Sequence, residues 1–245
     1  MKNILLTAVV TFLLTVLLGG GFLYYYYGIE RFARDVSPFI DTARDKVTEA
    51  VAPATQTVPK TEADKIMDAV AGTQGASALI FKTVAGEETF VARGLLVSTD
   101  GLILTDSETI IKGVPYTVRV PGVRDYFPVT HVTELSEALT LLKIEHTTTL
   151  VPRFTDNSVL PESLVVAITG DETQQIATGI VTVADEVRGV IRTNLFGTMA
   201  PGSVLVTVDG FAVGISTVAA QGEGQASFTP LTRSYINDVR QSALF

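Results

Sequence analysis

The residues able to do chemistry are few. The chain has no cysteine and only two histidines, His131 and His146, among 245 residues. A cysteine nucleophile is therefore excluded, and a zinc site built on histidine and cysteine lacks ligands. The sequence contains no phosphate-binding loop, no His-Glu-x-x-His pair, no EF-hand loop and no dinucleotide-type glycine pattern. No cofactor and no metal are expected. What remains is hydroxyl and carboxylate chemistry. A serine nucleophile needs a base within hydrogen-bond reach and an acid to orient that base. The net charge of −8 repels phosphate backbones, so nucleic acid is not expected as a partner.

The elements that must position such groups begin at about Ala76. Short runs rich in Val, Ile and Thr alternate with turn signals from there on. Examples are Ala78–Thr83, Thr89–Ser98, Gly101–Thr105, Tyr116–Val120, Phe127–Val132, Leu139–Glu145, Leu164–Thr169, Gly179–Val183, Gly189–Thr193, Ser203–Val208 and Phe211–Val218. Strands this short and this regularly spaced predict an all-β sandwich or a pair of barrels. Asp100-Gly101 and Asp209-Gly210 sit between apolar runs and mark hairpins. Leu231, Tyr235, Ile236 and Val239 recur on one helical face, which predicts a closing amphipathic helix that starts around Pro230.

The N-terminal part reads differently. Residues Ile4 to Tyr27 carry no charge. At 1.5 Å per residue they reach about 36 Å, enough for a membrane span. Tyr24 to Tyr27 form an aromatic cluster at its end. A cleaved signal peptide is the alternative, although no A-x-A site precedes the polar region. Ile29, Ala33, Val36, Ile40, Ala43, Val47 and Ala50 follow a 4-3 spacing. That seam could pair the stalks of neighbouring copies or lie as one amphipathic helix, with a kink at Ser37-Pro38. Val51–Lys60 reads as a linker. Thr61-x-x-Asp64 resembles a capping box for a short helix to about Ala71, ended by Gly72 and Gly75. The expected domains are an anchor over 1–28, a stalk and linker over 29–75, and a β-domain over 76–245.

Four segments of that β-domain resemble the trypsin-like, HtrA/DegP-type serine proteases. They are Gly94–Thr105, Leu139–Ile144, the set Thr155–Ser158, Leu164–Ile168 and Thr178–Thr182, and Leu205–Thr217. The resemblance implies a trypsin-like double β-barrel with a C-terminal helix and a cleft between the barrels. It also implies where a catalytic triad would stand. The histidine of the family follows Leu-Thr by three residues, and here Leu104-Thr105 leads to Glu108. The aspartate precedes Leu-x-x-Leu-Lys-Ile, and here that residue is Ala138. Glu137 is one place off, and strand neighbours face opposite sides. Aligned on Leu205-Val206, Pro201 takes the serine position and Gly202 that of one oxyanion-loop glycine. A slip by one places Gly202 at the serine position instead. Ser203 is the nearby hydroxyl and the fallback nucleophile. Both histidines read as surface or hairpin residues.

A carboxylate with an ordinary pKa near 4.3 is a poor base for a serine hydroxyl. The expectation is therefore an inactive, membrane-anchored homologue held outside the cytoplasm, with an extended peptide or protein as partner in the cleft. The alternatives are an active serine endopeptidase using Ser203 and a structural subunit of a surface assembly.

Overall fold

The computed structural model describes residues 60–185, 187–195, 199–220 and 225–243. The expected anchor over 4–27 and the stalk seam from Ile29 to Ala50 lie outside the described residues. No helix among the described residues is long and apolar enough to cross a membrane.

The compact unit, Lys60–Phe245, opens with helix α1 (Glu62–Gln74). Thr61 caps it: its side chain accepts from the Asp64 N–H, and the Asp64 carboxylate takes the Thr61 N–H at 2.9 Å. Such a reciprocal cap satisfies two otherwise orphaned donors. The helix runs through Gly72 and ends at Gly75. Ala69, Val70 and Thr73 are its buried residues.

The first barrel uses β1 (Ser77–Val84), β2 (Glu87–Leu96), β3 (Leu102–Asp106), β4 (Tyr116–Arg119), β5 (Tyr126–Glu134) and β6 (Leu139–Ile144). They close in the order β1-β2-β3-β6-β5-β4. Every strand pair in the ring is antiparallel. Gly94 faces into the ring. A Cβ there would lie 2.5 Å from Ile103 and 3.1 Å from Ile80, so a larger residue would overpack the ring.

The second barrel uses β7 (Arg153–Phe154), β8 (Leu164–Thr169), β9 (Gln175–Asp185), β10 (Val190–Thr193), β11 (Val204–Thr207), β12 (Phe211–Ile215) and β13 (Ser227–Pro230). The order β11-β8-β9-β10-β13-β12 closes on itself through β11–β12, and β7 adds in parallel to β12. The two rings and the final helix α2 (Arg233–Ser242) make a trypsin-like double barrel.

One expectation needs correction. Pro230 is not a first-turn helix residue. It ends β13 opposite Gly214, and the helix begins after Thr232, whose side chain accepts from the Tyr235 N–H. A proline is tolerated at such a strand end, because Leu231 rather than Pro230 supplies the next donor, to Val213 O. The second barrel also recruits β7, a two-residue strand that carries no readable periodicity.

The packing is uneven. One apolar cluster joins Ile80, Ile103 and Leu142 of the first barrel to Val206, Ile215, Ile236 and Val239. A smaller cluster around Phe228, Val165 and Leu205 fills the second ring. Each fully buried aliphatic side chain of this kind contributes roughly 1.5–3 kcal/mol. Helix α2 is tied back further by Arg233 Nη2 to Phe154 O at 3.1 Å and by Arg240 Nε to Val97 O.

Candidate functional site

Strand β3 carries Leu102-Ile-Leu-Thr-Asp106, all five buried. The chain then makes one 3-10 turn, Ser107–Thr109, before leaving the barrel. Glu108 lies exposed on that turn. Ala138 is half-buried just ahead of β6, and its carbonyl accepts from the Ser107 N–H at 3.0 Å. Positions 108 and 138 are thus neighbours, brought together by the β3–β6 pairing that ends with Asp106 opposite Leu139. The Ala138 methyl carries no ionisable group, and Glu108 carries an exposed carboxylate.

Pro201 comes from the second barrel, on the loop that enters β11. Its carbonyl accepts from the Arg93 N–H of β2 at 2.7 Å. Gly202 follows with φ +76°. A Cβ there would sit 1.8 Å from Arg93 O and 3.0 Å from Thr105 Oγ1. Only glycine fits both the left-handed backbone and the contact. Thr105 Oγ1 in turn donates to Arg93 O at 2.6 Å. The loop therefore rests on β2 and β3, three residues before Glu108.

The donors of this loop are committed. Pro201 has no N–H. The Gly202 N–H donates to Ser216 O at 2.7 Å, and the Ser203 N–H to Ala200 O at 3.0 Å. Ser203 is wholly buried. Its hydroxyl hydrogen-bonds with Thr169 Oγ1 at 2.8 Å and Ala200 O at 2.5 Å. Thr169 Oγ1 also accepts from the Ala200 N–H at 3.1 Å. No histidine is among these partners. His131 sits exposed on β5, with Nδ1 3.2 Å from Thr130 Oγ1, and the His146 ring lies 4.4 Å from that of Phe127.

Two charged residues near this loop escaped the sequence reading. Asp106 is wholly buried at the end of β3. Its Oδ1 accepts from the Val218 N–H of the second barrel at 2.9 Å, while Oδ2 is buried with no hydrogen-bond partner among the described residues. Burial pushes its carboxyl above the ordinary carboxylate value, and the negative charge of Glu108 adds to the rise; the Val218 N–H opposes it. Arg93 is 2% exposed, and burial lowers its guanidinium to about 10. The available signal was a lone charge closing the apolar run Leu102–Thr105 and another inside Phe90–Leu96. Among the described residues, no cluster of three or more His, Cys, Asp or Glu could hold a metal ion.

No known protein-family profile matches the chain, and no curated protein matches it in sequence. Solved structures do. The serine endoprotease from Yersinia pestis matches with a TM-score of 0.62 at 20% identity, over 76% of this chain and 67% of that one. The HtrA-type protease AlgW with a decapeptide matches at 0.58 and 16% identity, over 72% of this chain and 66% of its own. AlgW with a tripeptide matches at 0.58 and 18%, over 72% and 62%. The chain thus spans about two thirds of the length of these proteins. At such identities the likeness establishes a fold, and that fold is the trypsin-like double barrel of the HtrA-type serine proteases.

Proposed function

We propose that this chain is a membrane-tethered, catalytically inactive homologue of trypsin-like proteases that works outside the cytoplasm by binding a protein or an extended peptide. The observation that carries this reading is the state of the loop 201–203. Pro201 offers neither hydroxyl nor N–H, and the Ser203 hydroxyl is buried and hydrogen-bonded to Thr169 and Ala200. Glu108 and Ala138 add no base and orienter of the kind a serine nucleophile requires. A rearranged endopeptidase using Ser203 would first have to dismantle these bonds. The peptide partner rests on analogy, since two of the similar structures are of AlgW with peptides.

The test is covalent labelling of the full-length protein with a fluorophosphonate probe, beside an active trypsin-like enzyme. No labelling is expected. Labelling that disappears in Ser203→Ala would instead establish the active endopeptidase.

The tether rests on the uncharged run 4–27. External protease applied to intact cells, with the outer layer permeabilised where one exists, should remove the C-terminal domain. Protection until the inner membrane is broken would reverse the topology. The stalk seam through Ile40 would let neighbouring copies associate. Cross-linking of the full-length protein should fall in Ile40→Asp, and equal cross-linking would leave the stalk a spacer.

A further inference from the structure

One short element of the second barrel faces solvent and still holds on to the first. It is the 3-10 turn Val218–Ala220, none of whose residues is buried. The Ala220 N–H shapes it by reaching Thr217 O and Thr217 Oγ1, each at 3.2 Å. Among the described residues, its hydrogen bond to the first barrel runs from the Val218 N–H to Asp106 Oδ1 at 2.9 Å. A surface turn with so little buried surface lies at the low end of local stability, where opening costs far less than unfolding the domain.

Asp106 is the other half of that contact. It is wholly buried at the end of β3, and its Oδ2 has no hydrogen-bond partner among the described residues. No lysine, arginine or histidine pairs with it there. The turn Ser107–Thr109 brings the Glu108 carboxylate, whose charge opposes ionisation, and Thr109, whose N–H and hydroxyl favour it. Strand β6 sets Leu139 opposite, and the turn ahead of it carries Glu137, exposed. The turn Val218–Ala220 and the loop 201–203 bring no ionisable side chain. An ionised Asp106 is thus a charge out of water, compensated chiefly by one N–H.

We propose that the turn Val218–Ala220 is a pH-driven latch on the seam between the barrels: it lies closed on Asp106 while that side chain is neutral, and opens to let water in when the side chain ionises. Opening hydrates the carboxyl and returns it toward its ordinary value of 3.8, whereas the closed turn holds it higher, burial being the main cause. The closed form is therefore fully favoured below the open-state value and gives way as pH rises through the closed-state one. The negative charge of Glu108 moves that window upward. The main-chain bond from Arg93 to Pro201 contains no titrating group and stays shut throughout. The latch does not depend on whether the cleft is inactive or on what it binds.

The test is amide hydrogen exchange on the full-length chain in detergent, with each rate divided by the intrinsic rate at that pH. Protection of the Val218 N–H should fall about 5-fold or more between about pH 4 and about pH 8. The Arg93 N–H, bonded to Pro201 O, and the Gly202 N–H, bonded to Ser216 O, should keep their protection over the same range. Asp106→Asn keeps the acceptor and removes the charge, so protection of Val218 should become independent of pH. Glu108→Gln alters only an exposed side chain and should move the fall to lower pH. Protection of Val218 that is constant or rises with pH would overturn the proposal, as would the same fall in Asp106→Asn or an unmoved fall in Glu108→Gln. So would Arg93 and Gly202 losing protection in step with Val218, which would mark loosening of the whole domain.

Discussion

Two of the hydrogen bonds that stitch the barrels together near the loop 201–203 differ in kind. In one, the second barrel supplies the acceptor: Pro201 O takes the Arg93 N–H. In the other, the first barrel supplies it: Asp106 Oδ1 takes the Val218 N–H. The first is backbone to backbone, neutral and fully satisfied, and Gly202 makes room for it. The second rests on one side chain whose second oxygen is buried without a partner among the described residues. A seam of this type can be rigid where it is made of main chain and adjustable where it is made of a carboxylate. It therefore predicts unequal sensitivities.

The largest effect should come from Gly202→Ala. The φ of +76° and the 1.8 Å approach to Arg93 O leave no room for a Cβ. A loss on the order of 4 kcal/mol or more in urea unfolding is expected. A loss below about 1 kcal/mol would mean that the loop yields easily and that the first stitch is not the rigid one. Ser203→Ala should cost about 1–2 kcal/mol, because Thr169 and Ala200 lose a buried partner. A neutral outcome would show that the hydroxyl is not integral to the loop.

The second stitch should behave oppositely on neutralisation. Asp106→Asn keeps an acceptor for Val218 and removes a buried charge, so it should gain about 1 kcal/mol at neutral pH. Asp106→Ala should lose about as much by orphaning that N–H. In the wild type the folded-state pKa of Asp106 lies above the ordinary value of 3.8. Its contribution to stability is thus fully present below that value and is lost as pH rises through the folded pKa. The Asn variant should flatten this part of the stability profile; an unchanged profile would remove Asp106 from the account. The smallest effect belongs to exposed Glu108. Glu108→Gln should change stability by no more than about 0.5 kcal/mol, while moving the pH dependence assigned to Asp106 downward. A larger loss would give Glu108 a structural bond that its exposure does not suggest.

Much of the fold could be read from residue order alone. Runs such as Leu139–Ile144 and Leu164–Thr169 are buried along nearly their whole length, so continuous apolar stretches marked them within a residue. Asp-Gly at 100–101 and 209–210 marked turns because glycine must take φ +91° and +80° there. β7 was invisible because two residues show no period, and β13 because Pro230 looks as natural at a helix start as at a strand end. The site divides similarly. The order of the flanking strands points to positions 108, 138 and 201, and the structure sets 108 beside 138. That Ser203 turns inward, and that Asp106 and Arg93 reach across to the other barrel, depends on how the two rings face one another. No local spacing encodes that.

Helix α2 has a consequence for how the protein is made. Its Ile236 and Val239 belong to the same apolar cluster as Ile80 and Leu142, and Arg240 returns to Val97 across 143 positions of sequence. During synthesis the strands of the first barrel leave the ribosome early, well before the segment that covers them. A nascent chain must therefore carry an uncovered apolar face until helix α2 emerges, which makes it a customer for holding chaperones. Chains stopped before Leu231 would keep that face permanently, and their fate should be aggregation or proteolysis.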